Sequence, residues 1–245
     1  MRSLLAIAVA LWTVMAADAV DRTSRVLPLT AAGAIRVDAT IADLTVTGSN
    51  RSDVQIDVER RAPSSADLAK FPVVLDANVD GIRLSVVQAN DGKDANLKST
   101  ITISAPRTSH LAPVRVFEGR VRLTNLAGTT DADLRRGPIE AADLAGRVRL
   151  EAGIGSVDVR DSELTAGGMM RLRVFNGPLR VRFPQTPANG RILAVTLNGS
   201  IHSDVPLTMK DQFGPRFGES TFGSGDPVMS MDVVKGDITM TVAKR

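Results

Sequence analysis

Four arginines lie in two short alternating segments, RVRL (147–150) and RLRV (171–174). Alternation with apolar residues places both arginines of a segment on one face of a β-strand. Guanidinium groups bind carboxylates and phosphates bidentately, and four of them within about 10 Å on neighbouring strands would form an anion site. We therefore predict a basic stripe for an anionic glycan or a lipid headgroup, formed by Arg147, Arg149, Arg171 and Arg173. The alternative is a solvated face that Glu151 and neighbouring acids neutralise, as most charge runs are.

A loop between Pro206 and Pro227 concentrates aromatic residues, because Phe213, Phe217 and Phe222 fall within ten positions. Unpaired strand edges and core side chains at the end of a sheet must be covered. The loop is predicted to cap such an end, or alternatively to present a surface to a partner.

Catalytic and metal-binding patterns are not predicted. Ser200, His202 and Asp204 share one strand face, but neighbours two apart on a strand lie about 6–7 Å apart, too far for a hydrogen-bonded triad. Cys is absent, and the only other histidine, His110, is expected in an exposed loop between two prolines. We therefore predict no catalytic residues, no metal site and no cofactor.

Glycine recurs every ninth residue from position 119 to position 155. Short alternating segments follow these glycines, such as GRVRL (119–123), GRVRL (146–150) and GSVDV (155–159). A fixed repeat of alternating strands predicts coils that stack in register, with glycine at corners where φ is positive. The predicted fold is an all-β, right-handed parallel β-solenoid of β-helix type, with two strands per coil.

Coils of two nine-residue units place equivalent positions 18 residues apart. The predicted inward ladder, in this order, is Val121, Ile139, Val157, Leu179, Ile201 and Ile238. On the outward side, Arg122 should pair with Glu140 and Asp158 with Arg180 across adjacent coils.

The region from 26 to 105 is predicted to be a less regular β region. Its candidate strands are 34–38, 43–48, 53–60, 72–76, 81–87 and 99–104. One short helix is predicted up to Phe71, with Ser64 or Ser65 as its N-cap. No linker divides the chain, so residues 20–245 are predicted to form a single domain.

Residues 1–19 have the features of a secretory signal: Arg2, an apolar run and the small-residue site Ala17-Asp18-Ala19. Cleavage after Ala19 and the lack of a second apolar run predict an exported, soluble chain without a transmembrane segment. With 30 basic and 27 acidic residues, the net charge of +3 does not favour nucleic acid as a partner.

The segments VRVFEGRVRLTNLAG (114–128), GPLRVRFP (177–184) and LNGSIHSDVP (197–206) together resemble a bacterial family of β-strand-repeat proteins called "putative adhesin". The resemblance extends over residues 33–242. It implies a β-solenoid that is exported or associated with the cell envelope, and it provides no catalytic residues.

These observations favour an exported, non-enzymatic binding or structural module of the bacterial cell envelope, in the periplasm or outside the cell. Its partner would be an envelope protein, an anionic glycan or a lipid headgroup. Two alternatives remain at this point: a polysaccharide-active β-helix enzyme, and a sensory or envelope-stress partner of a membrane protein.

Overall fold

The structure is a computed structural model that describes residues 18–87, 97–162, 166–210 and 214–243. Most of the predicted signal segment, residues 1–17, lies outside the described residues. Within them the chain forms seventeen β-strands in one mixed sheet, with a single short helix. The all-β prediction is confirmed.

The strands follow in chain order. The first nine are β1 (Ala19–Pro28), β2 (Ala34–Ser49), β3 (Asp53–Ala62), β4 (Val73–Asn78), β5 (Gly81–Val86), β6 (Lys98–Pro106), β7 (His110–Leu126), β8 (Thr130–Leu144) and β9 (Arg147–Arg160). The remaining eight are β10 (Met169–Asn176), β11 (Leu179–Phe183), β12 (Gly190–Asn198), β13 (Ile201–Ser203), β14 (Thr208–Lys210), β15 (Arg216–Phe222), β16 (Val228–Lys235) and β17 (Ile238–Val242). The helix α1 (Ser65–Ala69) lies between β3 and β4.

The strands pair in two ladders, and the longest strands contribute to both because they bend at a corner. We call the pairings before the corner the first ladder and those after it the second ladder. The first ladder has the order β4–β5–β2–β7–β8–β9–β10–β16–β12–β15–β14. The second has the order β1–β3–β6–β2–β7–β8–β9–β11–β17–β13.

The predicted register is confirmed in the middle of the second ladder. Val121 pairs with Ile139, Ile139 with Val157 and Val157 with Leu179, all in parallel. All four members of this row are fully buried, as a pleated core surface favours for branched apolar residues.

The predicted order of the last coils is wrong. Leu179 pairs with Ile238, and Ile201 pairs with the other side of Ile238. The C-terminal pair β16–β17 is therefore inserted between β10–β11 and β12–β13. Both pairs have the same alternation of apolar and polar residues, so the pattern does not determine which of them stacks on β10–β11.

Glycine at the corners is required by two different constraints. Gly137 and Gly155 have φ values of 129° and 151°, so the predicted positive φ is confirmed. In addition, a Cβ atom on Gly155 would lie 1.9 Å from the carbonyl oxygen of Gly137. The corners of successive coils therefore stack too closely for any side chain.

Antiparallel strands complete both ends of the sheet. β3 and β1 extend the second ladder at one end, β4 extends the first ladder there, and β15 and β14 extend it at the other end. Since the sheet is mixed, the predicted right-handed parallel solenoid is not confirmed. The antiparallel strands hydrogen-bond to the strand edges that would otherwise be unpaired at the ends of the parallel region.

The region predicted as less regular continues the same stack. Candidates 34–38 and 43–48 form one strand, β2, which pairs in parallel with β7. The helix has Ser64 as its N-cap, and the Ser64 Oγ accepts a hydrogen bond from the Asp67 amide at 3.1 Å. Phe71 is buried in a small cluster beside β3. The edge strand β1 was not predicted.

Candidate functional site

The four arginines of the predicted stripe lie on adjacent strands and point away from the core. In the parallel register of β9 and β10, Arg149 is opposite Arg171 and Glu151 is opposite Arg173, while Arg147 is opposite Met169. Val148, Leu150, Leu172 and Val174 alternate with them and are buried. The structure therefore brings the arginines together on the outer surface of the first ladder.

Two acids neutralise Arg149. Its guanidinium donates to Asp131 Oδ1 at 2.8 Å and to Glu151 Oε2 at 2.6 Å. The hydrogen bond to Asp131 raises the pKa of Arg149 above its ordinary value, and so does the field of Glu151 to a smaller extent. The guanidinium of Arg149 is thus paired with carboxylates of the protein itself. For this arginine, the alternative of a neutralised, solvated face is the one that the structure supports.

The other three arginines differ from one another. The guanidinium of Arg173 lies 4.7 Å from the ring centroid of Phe175, at cation–π distance, on a row between Glu151 and Asp232. Arg147 and Arg171 are exposed and form no ion pair with any described residue. The stripe therefore presents two free guanidinium groups rather than four.

Asp133, an acid near this surface, lies where its ionised form is disfavoured. Partial burial raises the pKa of Asp133 on β8 above its usual value, and the negative field of Glu151 raises it further. Nearby arginines lower it by less. The outer surface of β8 and β9 is therefore crowded with both charge signs.

Beyond β10 the same surface becomes apolar. Leu193, Val195 and Leu197 point outward from β12, since the alternating residues Ile192, Ala194 and Thr196 are buried. Leu197 is 48% exposed and Phe175 is 39% exposed, and Val234 of β16 lies between them in register. Met169 is 48% exposed and lies opposite Val228 of β16, which in turn lies opposite Arg191 of β12.

We call this surface the apolar–basic face. Its members are the outward side chains of β9, β10, β16, β12 and β15 that are apolar or are free arginines: Arg147, Met169, Arg171, Phe175, Leu193, Val195, Leu197, Phe217, Val228 and Val234. Five strands at about 4.8 Å spacing give it a width of about 20 Å. The sequence did not reveal this face, because the insertion of β16 creates it.

The phenylalanines of the predicted loop have different environments. Phe222 packs against the core, whereas Phe217 pairs with Val195 and points outward with Lys210 Nζ 5.3 Å from its ring centroid. Phe213 lies outside the described residues. The loop forms β14 and β15, which add to the edge of β12.

The serine, histidine and aspartate considered for catalysis have separate partners. Ser200 Oγ accepts from Arg216 at 3.0 Å, Asp204 Oδ2 accepts from the Val242 amide at 3.2 Å, and His202 is exposed. His110 is half-buried rather than exposed, because its Nδ1 accepts a hydrogen bond from the Thr129 amide at 2.9 Å. His110 begins strand β7, so the prediction of an exposed loop is wrong for this residue.

One solved structure of a bacterial protein has a similar fold, and weaker matches are found with two others. A putative cell adhesion protein from Clostridium sporogenes matches 92% of this chain and 100% of its own, with 10% identity and a TM-score of 0.53. A putative adhesin from Bacteroides fragilis matches 91% of this chain and 97% of its own, with 11% identity and a TM-score of 0.27. A putative adhesin from Parabacteroides merdae matches 91% of this chain and 96% of its own, with 10% identity and a TM-score of 0.30.

The names of these proteins agree with the family that the sequence segments resemble. No family model matches the sequence, and no curated protein is similar to it. At this identity the likeness concerns the fold, so no site residue is transferred to this chain. Among the described residues, no helix is long and apolar enough to cross a membrane.

Proposed function

We propose that this chain is an exported, non-enzymatic binding protein of the bacterial cell envelope, built as a right-handed β-solenoid, that attaches to an anionic lipid surface through the apolar–basic face. One observation carries the proposal: the exposed Phe175 and Leu197, with the half-buried Val234 between them, lie on the same outer surface as the free Arg147 and Arg171. The name of the similar structure from Clostridium sporogenes, a putative cell adhesion protein, fits a binding role.

The composition of the face suits a membrane interface. Apolar side chains that would remain in water are buried among acyl chains when the protein binds, and contiguous exposed apolar patches mark such contacts. Arginines beside them keep their guanidinium groups at the level of the phosphates while their stems lie on apolar surface. Each of them contributes about 1 kcal/mol next to an anionic leaflet.

A soluble anionic glycan fits the same face less well. Of the four arginines predicted to bind it, Arg149 is neutralised by Asp131 and Glu151, and Arg173 faces the ring of Phe175. Binding of a polyanion depends on several neighbouring cations that are not already paired, and of the four arginines only Arg147 and Arg171 meet this condition. The outward leucine and valine side chains, of which Leu197 is exposed and the others are half-buried, give a hydrated polymer no compensating contact.

Vesicle co-sedimentation tests the proposal. The chain from Val20 onward should bind vesicles of phosphatidylcholine with 30 mol% phosphatidylglycerol and should bind pure phosphatidylcholine weakly. The double variant Arg147→Gln/Arg171→Gln should lose about 30-fold in affinity at low salt, from two contributions of about 1 kcal/mol each. The double variant Phe175→Ser/Leu197→Ser should lose at least as much and should retain its salt dependence.

Matched controls exist elsewhere on the surface. Arg83 and Arg160 are exposed and form no ion pair with a described residue, and Val26 and Val74 are exposed on distant strands. Arg83→Gln/Arg160→Gln and Val26→Ser/Val74→Ser should bind like the parent. Equal losses in test and control pairs would overturn the proposal, and so would binding of dextran sulfate that Phe175→Ser/Leu197→Ser leaves unchanged.

A further inference from the structure

A cavity of about 430 Å³ opens at the opposite corner of the coils, where the second ladder returns to the first. It lies between the end of β11 and the beginnings of β12 and β16, beside the turn that precedes β10. A volume of this size is within the range of small-molecule pockets. It does not overlap the residues of the apolar–basic face.

The floor of the cavity is apolar. Phe183, Ile192 and Met229 are buried core side chains that form its base, and Pro184 and Pro187 form one wall. These residues are positioned by three different strands and one turn, so the wall has a defined shape. The proline and phenylalanine rings provide apolar surface on which the C–H groups of a ligand can pack.

The rim carries neutral hydrogen-bonding groups and one carboxylate. Asp226 Oδ2 accepts the Gly167 amide at 2.7 Å, and its other oxygen has no hydrogen-bond partner among the described residues. Asn189 Oδ1 accepts the Ser224 amide at 3.2 Å, and the Asn189 NH₂ group donates to none of the described residues. Gln185 is exposed at the mouth and forms no hydrogen bond with a described residue.

The electrostatics of the cavity exclude the ligand of the outer face. Arg191 is the one cation that lines the described part of the cavity, and Glu219 holds its guanidinium through bonds of 3.0 and 2.6 Å. Asp226 therefore repels phosphates and carboxylates without a free cation to offset it. An anionic ligand is therefore disfavoured, and a ligand here must donate hydrogen bonds to Asp226.

We propose that this cavity binds a neutral saccharide unit. Sugar hydroxyl groups donate to the free oxygen of Asp226 and to the side-chain oxygen of Gln185, and they accept from the Asn189 NH₂ group. The apolar face of the pyranose ring packs on Pro184 and Pro187. The proposal is independent of lipid binding, which uses the outer surface of the first ladder.

Saturation-transfer NMR with a panel of saccharides tests this assignment. The panel contains the methyl glycosides of glucose, galactose, mannose and N-acetylglucosamine and the β-1,4-linked disaccharides of glucose and N-acetylglucosamine. At least one should bind the chain from Val20 onward with a Kd of about 1 mM or tighter. Asp226→Asn, which keeps an oxygen for the Gly167 amide, should weaken that binding at least fivefold.

Two tryptophan variants separate the cavity from the rest of the surface. Ala188 is exposed at the mouth, so Ala188→Trp should block the cavity and abolish saccharide binding. Ala32 is exposed in a turn distant in the stack, so Ala32→Trp should bind like the parent. Vesicle binding should be the same in both variants, which distinguishes failure of this proposal from failure of the proposed function.

Three results would overturn the saccharide assignment. The first is no binding of any panel member at 20 mM, and the second is equal binding by the parent and Ala188→Trp. The third is that cyclohexylamine, a cation at neutral pH, binds more tightly than every saccharide of the panel and loses this binding in Asp226→Asn. Such a result would assign the cavity to cationic ligands.

Discussion

The two outer surfaces of the sheet share one core but differ in how their charges are satisfied. On the second ladder, Arg122 donates to Glu140 at 2.9 Å, Arg180 lies 3.9 Å from Asp158 and Arg182 pairs with Asp161. On the first ladder, Arg149 of β9 pairs with Asp131, and Arg191 of β12 pairs with Glu219 of β15. Between them, β10 and β16 form no ion pair among the described residues, and exposed apolar side chains lie on β10 and β12.

This difference shows which part of the repeat is constrained. Inward positions must be apolar because both ladders pack against the same core, and the register keeps them aligned. Outward positions have no such requirement, so cross-strand ion pairs of about 0.2–1 kcal/mol can be replaced at little cost to stability. A surface that gives up these pairs for exposed apolar residues is the one on which to seek a ligand.

The largest expected effect comes from a charge placed in the shared core. Val157 is fully buried in the second ladder, and Val157→Asp would bury an unpaired carboxylate. This change should cost more than about 4 kcal/mol and unfold the chain, as measured by circular dichroism and urea denaturation. Asp158→Asn, next to it on the outer surface, should cost less than about 1 kcal/mol. Equal tolerance of both changes would contradict the assigned register.

Close stacking of the corners predicts the next effect. Gly155→Ala should lower the free energy of unfolding through its positive φ and through a collision with the Gly137 carbonyl. Gly167 also has a positive φ, of 73°, but a Cβ atom placed on it would have no atom of a described residue within 4 Å. Gly167→Ala should therefore cost only the strain of about 1–2 kcal/mol, and Gly155→Ala clearly more. If urea denaturation gives equal losses, the coils are not in contact at this corner.

A small pH-dependent effect on stability is expected for Asp133 of the first ladder and not for Asp158 of the second. The pKa of Asp133 is raised in the folded chain, so its ionised form destabilises the fold at neutral pH. Asp133→Asn should raise the melting temperature slightly at pH 7, and the gain should disappear as the pH falls through the usual range of a carboxyl group. Asp158→Asn should give no such gain, since it removes the partner of Arg180. A destabilised Asp133→Asn at pH 7 would show that Asp133 is a favourable ion-pair partner.

The local pattern of the sequence was sufficient for the core and insufficient for the site. Alternation and spacing predicted the buried row from Val121 to Leu179 and the Arg122–Glu140 pair, because both depend on register alone. The position of β16 could not be predicted, because it fits equally well on either side of β12. Val234 and Leu197 therefore became neighbours only in the folded chain, and the basic stripe was interpreted without its apolar half.

The central claim, attachment through the apolar–basic face, can be tested directly by fluorescence. The sole tryptophan, Trp12, precedes Val20, and the chain has no tyrosine, so Leu197→Trp provides a unique reporter in the chain from Val20 onward. Val26→Trp, at a position 58% exposed on β1, is the matched control. On addition of phosphatidylglycerol-containing vesicles, the Leu197→Trp emission should shift to the blue and be quenched by brominated lipid, while that of Val26→Trp should not change. An unchanged Leu197→Trp spectrum with bound vesicles, or equal shifts in both variants, would contradict the account.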